Sequence, residues 1–326
     1  RQDVATASQV TFAGVVLSGA AASNYVLTQQ APAAATITPA TLTVKANADA
    51  RFVGQTDATG FNGVSYVGFV AGQDASTAGL TGALAITRSN VSTGSAGTYA
   101  GVLVPSGLSA GNYAINNVAG DYTIIPAGQV LVKVANTANV YGSAPNYTVS
   151  SVQYMTVGGN VLTSLTLSTA TGSTYTYVDG INGSLTFTLG ANGTPTPAGF
   201  LPVGSYAITG TNIAQTGGNF TGTPTFVGVQ TVAPKALTTT ASKVYDGTTV
   251  FTSAQVGLNG VLAGDTVGAT GSADLATPGA GSGKSYDLTG LGLAGAQAGN
   301  YFIDSSASAT NGVVATKALT VTLLSD

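Results

Sequence analysis

The residue types from which most active sites are built are scarce in this chain: it has no His, no Cys and no Glu, and its twelve acidic residues are all Asp. Ser-His-Asp and Cys-His nucleophiles are thereby excluded, as are thiolate zinc sites and disulfides. A hydrolase would have to be built from two Asp carboxylates at a suitable separation. Two glycine-rich stretches look like nucleotide-binding signatures. In Pro278–Ser285 (PGAGSGKS), Lys284 and Ser285 could complete a phosphate loop, but the first glycine of that pattern falls at Pro278. No apolar strand precedes it, and the YDLTGLGLAG that follows is too glycine-rich for the helix the motif needs. The GLGLAG of Gly290–Gly295 has the dinucleotide spacing, yet it runs into AQAGNYFI, a turn and a strand, with no acid near position 315. Both stretches read as loops or glycine-bent strands, and no cofactor is expected.

Three further groups of residues remain. In VYDGTT (Val244–Thr249) the Asp-Gly pair with flanking Thr suits a tight turn with side-chain bonds to the backbone. Asp246 is also a candidate contact to an ion or sugar. Calcium loops alternate Asp and Asn over a dozen residues, a pattern this chain lacks, so no metal site is expected. In STYTYVDG, Tyr175 and Tyr177 could stack on a sugar, with Asp179 beside them; the competing reading places both rings in a core. Sequons at Asn90, Asn146, Asn182, Asn192 and Asn219 are candidate glycosylation sites.

The elements that would position these residues are strands. The usual surface formers of helices are nearly missing, charged residues make up 6% of the chain, and Thr, Val, Tyr and Ile take their place. A net charge of −3 with 44% hydrophobic residues is the opposite of a disordered composition. A pI near 4.6 with nine scattered basic residues argues against nucleic acid and anionic membranes as partners. No run approaches eighteen apolar residues, so no membrane insertion is expected. Arg1 opens the sequence without Met or a signal peptide, which reads as a segment of a longer chain.

The chain repeats itself. SNYVL at Tyr25, AGNYAI at Tyr113, VGSYAI at Tyr206 and AGNYFI at Tyr301 each put a ring and an aliphatic on one strand face, the pattern of a core Tyr whose hydroxyl finds a backbone partner. Each is followed by a small-residue joint and a new alternating strand: ITPATLTV around Pro39, IIPAGQVLV around Pro126, VAPKALTT around Pro234 and ATKALTV around Lys317. The expected organisation is a truncated module (1–38), complete modules at 39–126, 127–234 and 235–316, and the first strand of another (317–326). GFVAGQD (Gly68–Asp74) aligns with GVLAGD (Gly260–Asp265), while FVGQ at Phe52, VYGS at Val140 and VYDGTT at Val244 hold one place after each first strand. The middle module departs by an insertion of about twenty residues near SSVQYMTVGGN.

These motifs resemble the MBG and YDG repeats of large bacterial surface proteins, notably filamentous haemagglutinin-like, high-molecular-weight adhesins exported by two-partner secretion. Residues 39–126 are similar to an MBG module, 127–234 to an atypical one, and 235–316 to a YDG module. The resemblance implies a secreted or cell-surface stalk, not an enzyme, that serves adhesion or biofilm-matrix attachment. Its partners would be a polysaccharide or a host-surface glycan or protein, together with the outer-membrane secretion partner of the parent protein. Turn signals every eight to twelve residues between alternating strands predict all-β, Ig-like or related sandwich modules stacked as a rod. The alternatives are a dedicated polysaccharide-binding module in the insertion of 127–234, or an Asp-based glycoside hydrolase.

Overall fold

A computed structural model of the chain describes residues 3–4, 8–11, 16–17, 19–70, 72–92, 94–158, 160–304 and 308–321. The all-β expectation holds: about 52% of the residues are strand, and the helical turns among the described residues are three-residue 3-10 turns such as Ala298–Asn300. Alternation sets the strands as anticipated. Along Ser184–Ala191, Leu185, Phe187 and Leu189 are buried, while Thr186 and Thr188 share the other face with Thr176 and Thr174 of the next strand, hydroxyl to hydroxyl at 2.9 Å.

In each of the three full modules the first strand runs parallel to the last part of the chain, hydrogen-bonded to it in two steps. In residues 39–126, Ala40–Ala46 pairs with Tyr113–Val118, and then Asp49–Phe52 pairs with Gly120–Ile125. In residues 127–234, Val130–Val134 pairs with Thr225–Val227 and Thr137–Val140 with Val229–Ala233. In residues 235–316 one strand, Lys235–Val244, pairs first with Tyr301–Ile303 and then with Ala309–Ala315. The three landmark motifs sit where this second step ends. The amides of Val53, Tyr141 and Tyr245 donate to the carbonyls of Ile125, Ala233 and Ala315 at 2.9, 2.8 and 2.8 Å.

The insertion in the middle module has a defined product. Residues 39–126 carry a four-stranded sheet that ends on Leu80–Arg88, packed by Gly97–Ala110. The corresponding sheet of 127–234 has six strands, because the hairpin Thr166–Thr171/Thr174–Val178 adds to the edge of Ser184–Ala191. The aromatic motifs are not all equivalent. Tyr113 and Tyr301 open strands parallel to their module's first strand, but Tyr206 lies in Gly204–Thr216, which pairs antiparallel with Ser184–Ala191 and Val229–Ala233. The place of Tyr113 and Tyr301 is taken in the middle module by Thr225–Val227, whose aromatic is Phe226. Tyr25 is 70% exposed, against 4% and 5% for Tyr113 and Tyr301. Before Pro39 the described strands are the short pair Gln9–Val10 and Ala33–Ala34. Residues 316–321 form no strand, and the remainder of the expected following strand, 322–326, lies outside the described residues.

The joint at Pro126 differs from the straight splice anticipated from proline stiffness. Gly128 has φ +81°, a value that favours glycine, and closes a turn with its amide on Met155. Beyond it the second module's first strand runs back along the first module. Leu131 packs with Ala50 and Phe52, Lys133 Nζ meets Asp49 Oδ1 at 3.1 Å, and Asn136 Nδ2 bonds Asn62. Ser205, beside the far end of that strand, donates to Ser65 at 2.8 Å. As the numbers rise in one module, the partners move back along the other, so these two modules lie side by side. The Asp49 side chain is 4% exposed and also accepts the Ala50 amide, which leaves Lys133 to supply its counter-charge. Lys133→Met is therefore expected to open this joint, seen in small-angle scattering as a rise in the radius of gyration from roughly 20 Å, the compact value for this length, towards 30 Å. An unchanged scattering curve would show that the apolar contacts hold the joint alone.

Candidate functional site

Of the residues singled out as ligand contacts, Tyr175 is half-buried and Tyr177 is buried. Both rings stack on Phe187, at 5.8 and 6.0 Å, inside the core of the middle module. The Tyr175 hydroxyl donates to the Tyr147 carbonyl at 2.9 Å, and burial raises the Tyr177 hydroxyl above its ordinary pKa. Of the two readings of these rings, their packing fits the core one: the inserted hairpin turns its aromatics inward because the neighbouring strand supplies Leu185 and Phe187 to pack against.

Asp179 organises a loop. Its Oδ1 accepts the amides of Ile181, Asn182 and Gly183 at 2.9, 3.2 and 2.8 Å. Burial alone would raise its pKa, but the three amides outweigh it and hold the carboxyl below the usual range. Asp246 likewise closes a turn, accepting the amide and hydroxyl of Thr248. It also takes a bond at 2.7 Å from Lys243 Nζ, whose side chain is fully buried. Lys243 went unnoticed in the sequence, although it falls in the inward phase of Leu237, Thr239 and Ala241. Of the sequon residues, Asn146, Asn182, Asn192 and Asn219 are exposed, whereas Asn90 is half-buried with its Oδ1 enclosed.

The paired AGNY and AG(Q)D motifs meet in space. The Tyr113 hydroxyl accepts the Val70 amide at 3.1 Å and donates to Gln73; the Tyr301 hydroxyl accepts the Leu262 amide at 3.0 Å and donates to Asp265 Oδ2 at 2.6 Å. Each tyrosine pins the loop that its module places over it. In the last module the pin crosses a joint, since Tyr141 of the VYG motif donates to the same Asp265 oxygen at 2.6 Å and pairs with Thr196. Burial first, then the bond to Asp265, raises the Tyr301 and Tyr141 hydroxyls above their ordinary pKa. Tyr301→Phe strips a donor from the partly buried Asp265 and an acceptor from Leu262, and is expected to destabilise residues 235–316 by about 1–3 kcal/mol. Hydrogen exchange at Leu262 measures this; unaltered exchange there would exclude the pin.

A cleft of about 560 Å³ lies where the three full modules converge. Tyr66, Phe69 and Val70 come from the first, Val232 from the second, and Tyr301 and Phe302 from the third. No group of three or more metal-ligating side chains occurs among the described residues. No helix of the described residues is long and apolar enough to cross a membrane.

No curated protein and no solved structure matches the chain. Residues 42–123 match the MBG domain (YGX type) and residues 230–310 match the YDG domain, so the chain carries one module of each kind.

Proposed function

We propose that this chain is a repeat segment of a secreted or cell-surface bacterial adhesin, non-enzymatic, serving attachment of cells or of a biofilm matrix. The observation that carries the reading is the recurrence of one strand plan in three successive modules, two of which match MBG and YDG domains. Export as part of a two-partner-secreted, filamentous haemagglutinin-like parent belongs to the same proposal, with an outer-membrane secretion partner and a polysaccharide or host-surface glycan or protein as target. Repetition suits such a role because several weak contacts, or the reach given to a distal domain, raise effective affinity by about two to four orders of magnitude without a strong site. The Asp-based hydrolase is disfavoured by position. Asp274 and Asp287 stand opposite each other in neighbouring strands, but both are exposed, without the enclosed setting that glycoside cleavage uses.

Deletion of the segment from its parent protein is expected to weaken attachment while leaving any distant activity of the parent intact. Replacement with an unrelated stalk of equal length separates the two forms of the idea: rescue assigns a spacing role, and no rescue assigns binding to the modules themselves. Normal attachment by the deletion strain would refute both.

A further inference from the structure

We propose that each full module is a mechanical clamp, built to carry tension between its two ends. The inference starts from strand direction. The first strand and the final strands of every module are parallel and directly hydrogen-bonded. The chain therefore enters at one end of this ladder and leaves at the other. Tension applied through the chain slides the two strands past each other, and all the ladder bonds resist together. In an antiparallel hairpin the same tension would meet the bonds one at a time.

Three features fit a ladder that bears load. It is retained in all three modules, although the strands around it differ in number. One of its faces is buried in each module: Leu42, Val44 and Ile124 are fully buried in the first module, Val130 and Val132 in the second, and Val314 is 2% exposed in the third. The core thus shields the ladder bonds from water on that side. Its end is closed the same way each time, by the amide of Val53, Tyr141 or Tyr245 on the final strand. The ladders are graded in length. The first module pairs six residues and then four, the second three and then four, the third three and then three. Under rising force the third and second modules should yield before the first. The side-by-side joint at Lys133–Asp49 is a peeling contact and should open before any module unfolds.

Because the chain has no cysteine, introduced thiols give unique attachment points in the full-length protein. Thr38 and Pro126, both exposed, flank the first module and load its ladder in shear. Gly111 is exposed, with open space around it and an ordinary φ, and it precedes Tyr113, the partner of Ala40. Pulling between Thr38→Cys and Gly111→Cys loads the same ladder from its common start, bond by bond. Single-molecule force spectroscopy is expected to show a rupture force several-fold higher for the Thr38→Cys/Pro126→Cys pair than for the Thr38→Cys/Gly111→Cys pair. Both variants should melt alike, since the contacts are the same and forced unfolding reports the barrier along the pulled direction. Equal rupture forces in the two geometries would overturn the clamp. So would the first module yielding before the other two when the whole chain is pulled from its ends. Neither result bears on whether the segment promotes attachment, so this inference and the adhesive reading fail separately.

Discussion

Asp57→Ala is expected to destabilise residues 39–126 by about 3–5 kcal/mol, enough to lower the melting temperature of that module by more than about 10 °C. One carboxylate oxygen of Asp57 accepts Arg51 Nε at 2.7 Å, Arg88 Nη1 at 3.2 Å and the Tyr122 hydroxyl at 2.9 Å. The Arg88 side chain is 1% exposed, lies over the Tyr122 ring at 5.0 Å and also donates to the Val91 carbonyl at 3.0 Å. Without the carboxylate, two guanidinium groups share a partly enclosed site with no anion between them. That loss is far costlier than losing a surface pair. Asp57→Asn keeps an acceptor but not the charge and should fall between wild type and Asp57→Ala. The pH dependence follows from the same contacts. Burial would raise the Asp57 pKa, but the bonds from Arg51 and Tyr122 and the charge of Arg88 outweigh it and hold the carboxyl below its ordinary value. A depressed folded-state pKa means that this stabilisation is complete above the unfolded value near 4 and is lost as pH falls through the folded one. Hydrogen exchange at Leu103 and Ile124, measured in the full chain, tests both statements. Protection unchanged in Asp57→Ala, or insensitive to acid, would remove the site from the account of this module's stability.

How far the sequence foretold these arrangements depends on whether the signal was local. The strands were legible because Thr and aliphatic residues alternate over whole segments, as in Ser184–Ala191. The equivalence of Phe52, Val140 and Val244 was legible because a short motif marks the same strand end each time. The grouping of Tyr206 with Tyr113 and Tyr301 failed because it rested on neighbours in sequence, whereas the role of a ring is set by which strand pairs with its own. Tyr175 and Tyr177 were ambiguous because Thr and Ser on one face do not reveal whether the other face is covered, and it is covered by Phe187. The reversal after Pro126 depended on one glycine of positive φ and on a buried Asp49 whose cation lies 84 residues away. Asp57 was unreadable for the same reason, since Tyr122 is 65 residues distant.

Lys243 shows what a local signal can still hide, and its replacement is the sharpest test of the YDG turn. Its ammonium donates to Asp246 Oδ1 at 2.7 Å, to the Thr248 carbonyl and hydroxyl at 2.8 and 2.7 Å, and to the Val250 carbonyl at 3.0 Å. The side chain is wholly buried, with the Phe251 ring 5.9 Å from the nitrogen. The Asp-Gly turn thus wraps a lysine that the strand has delivered to the interior, and Asp246 faces the protein as well as the solvent. Lys243→Met keeps the length and apolar stem but leaves the Thr248 and Val250 carbonyls without this donor, and should cost residues 235–316 about 3 kcal/mol. Lys243→Arg should not restore it, because a planar fork cannot direct bonds to these acceptors from the position of a compact ammonium. Asp246→Asn keeps an acceptor for Thr248 but leaves the buried ammonium without its anion, so this variant should also be less stable. The bonds from Lys243 and Thr248 hold the Asp246 carboxyl well below the ordinary carboxylate range. The contribution of this pair is therefore complete above pH 4 and declines as acid protonates the folded carboxylate. Amide exchange at Phe251, in the strand that follows the turn, should quicken in Lys243→Met and in Lys243→Arg. If both variants retain wild-type protection there, the turn is held by its Asp-Gly geometry alone and the lysine is incidental to it.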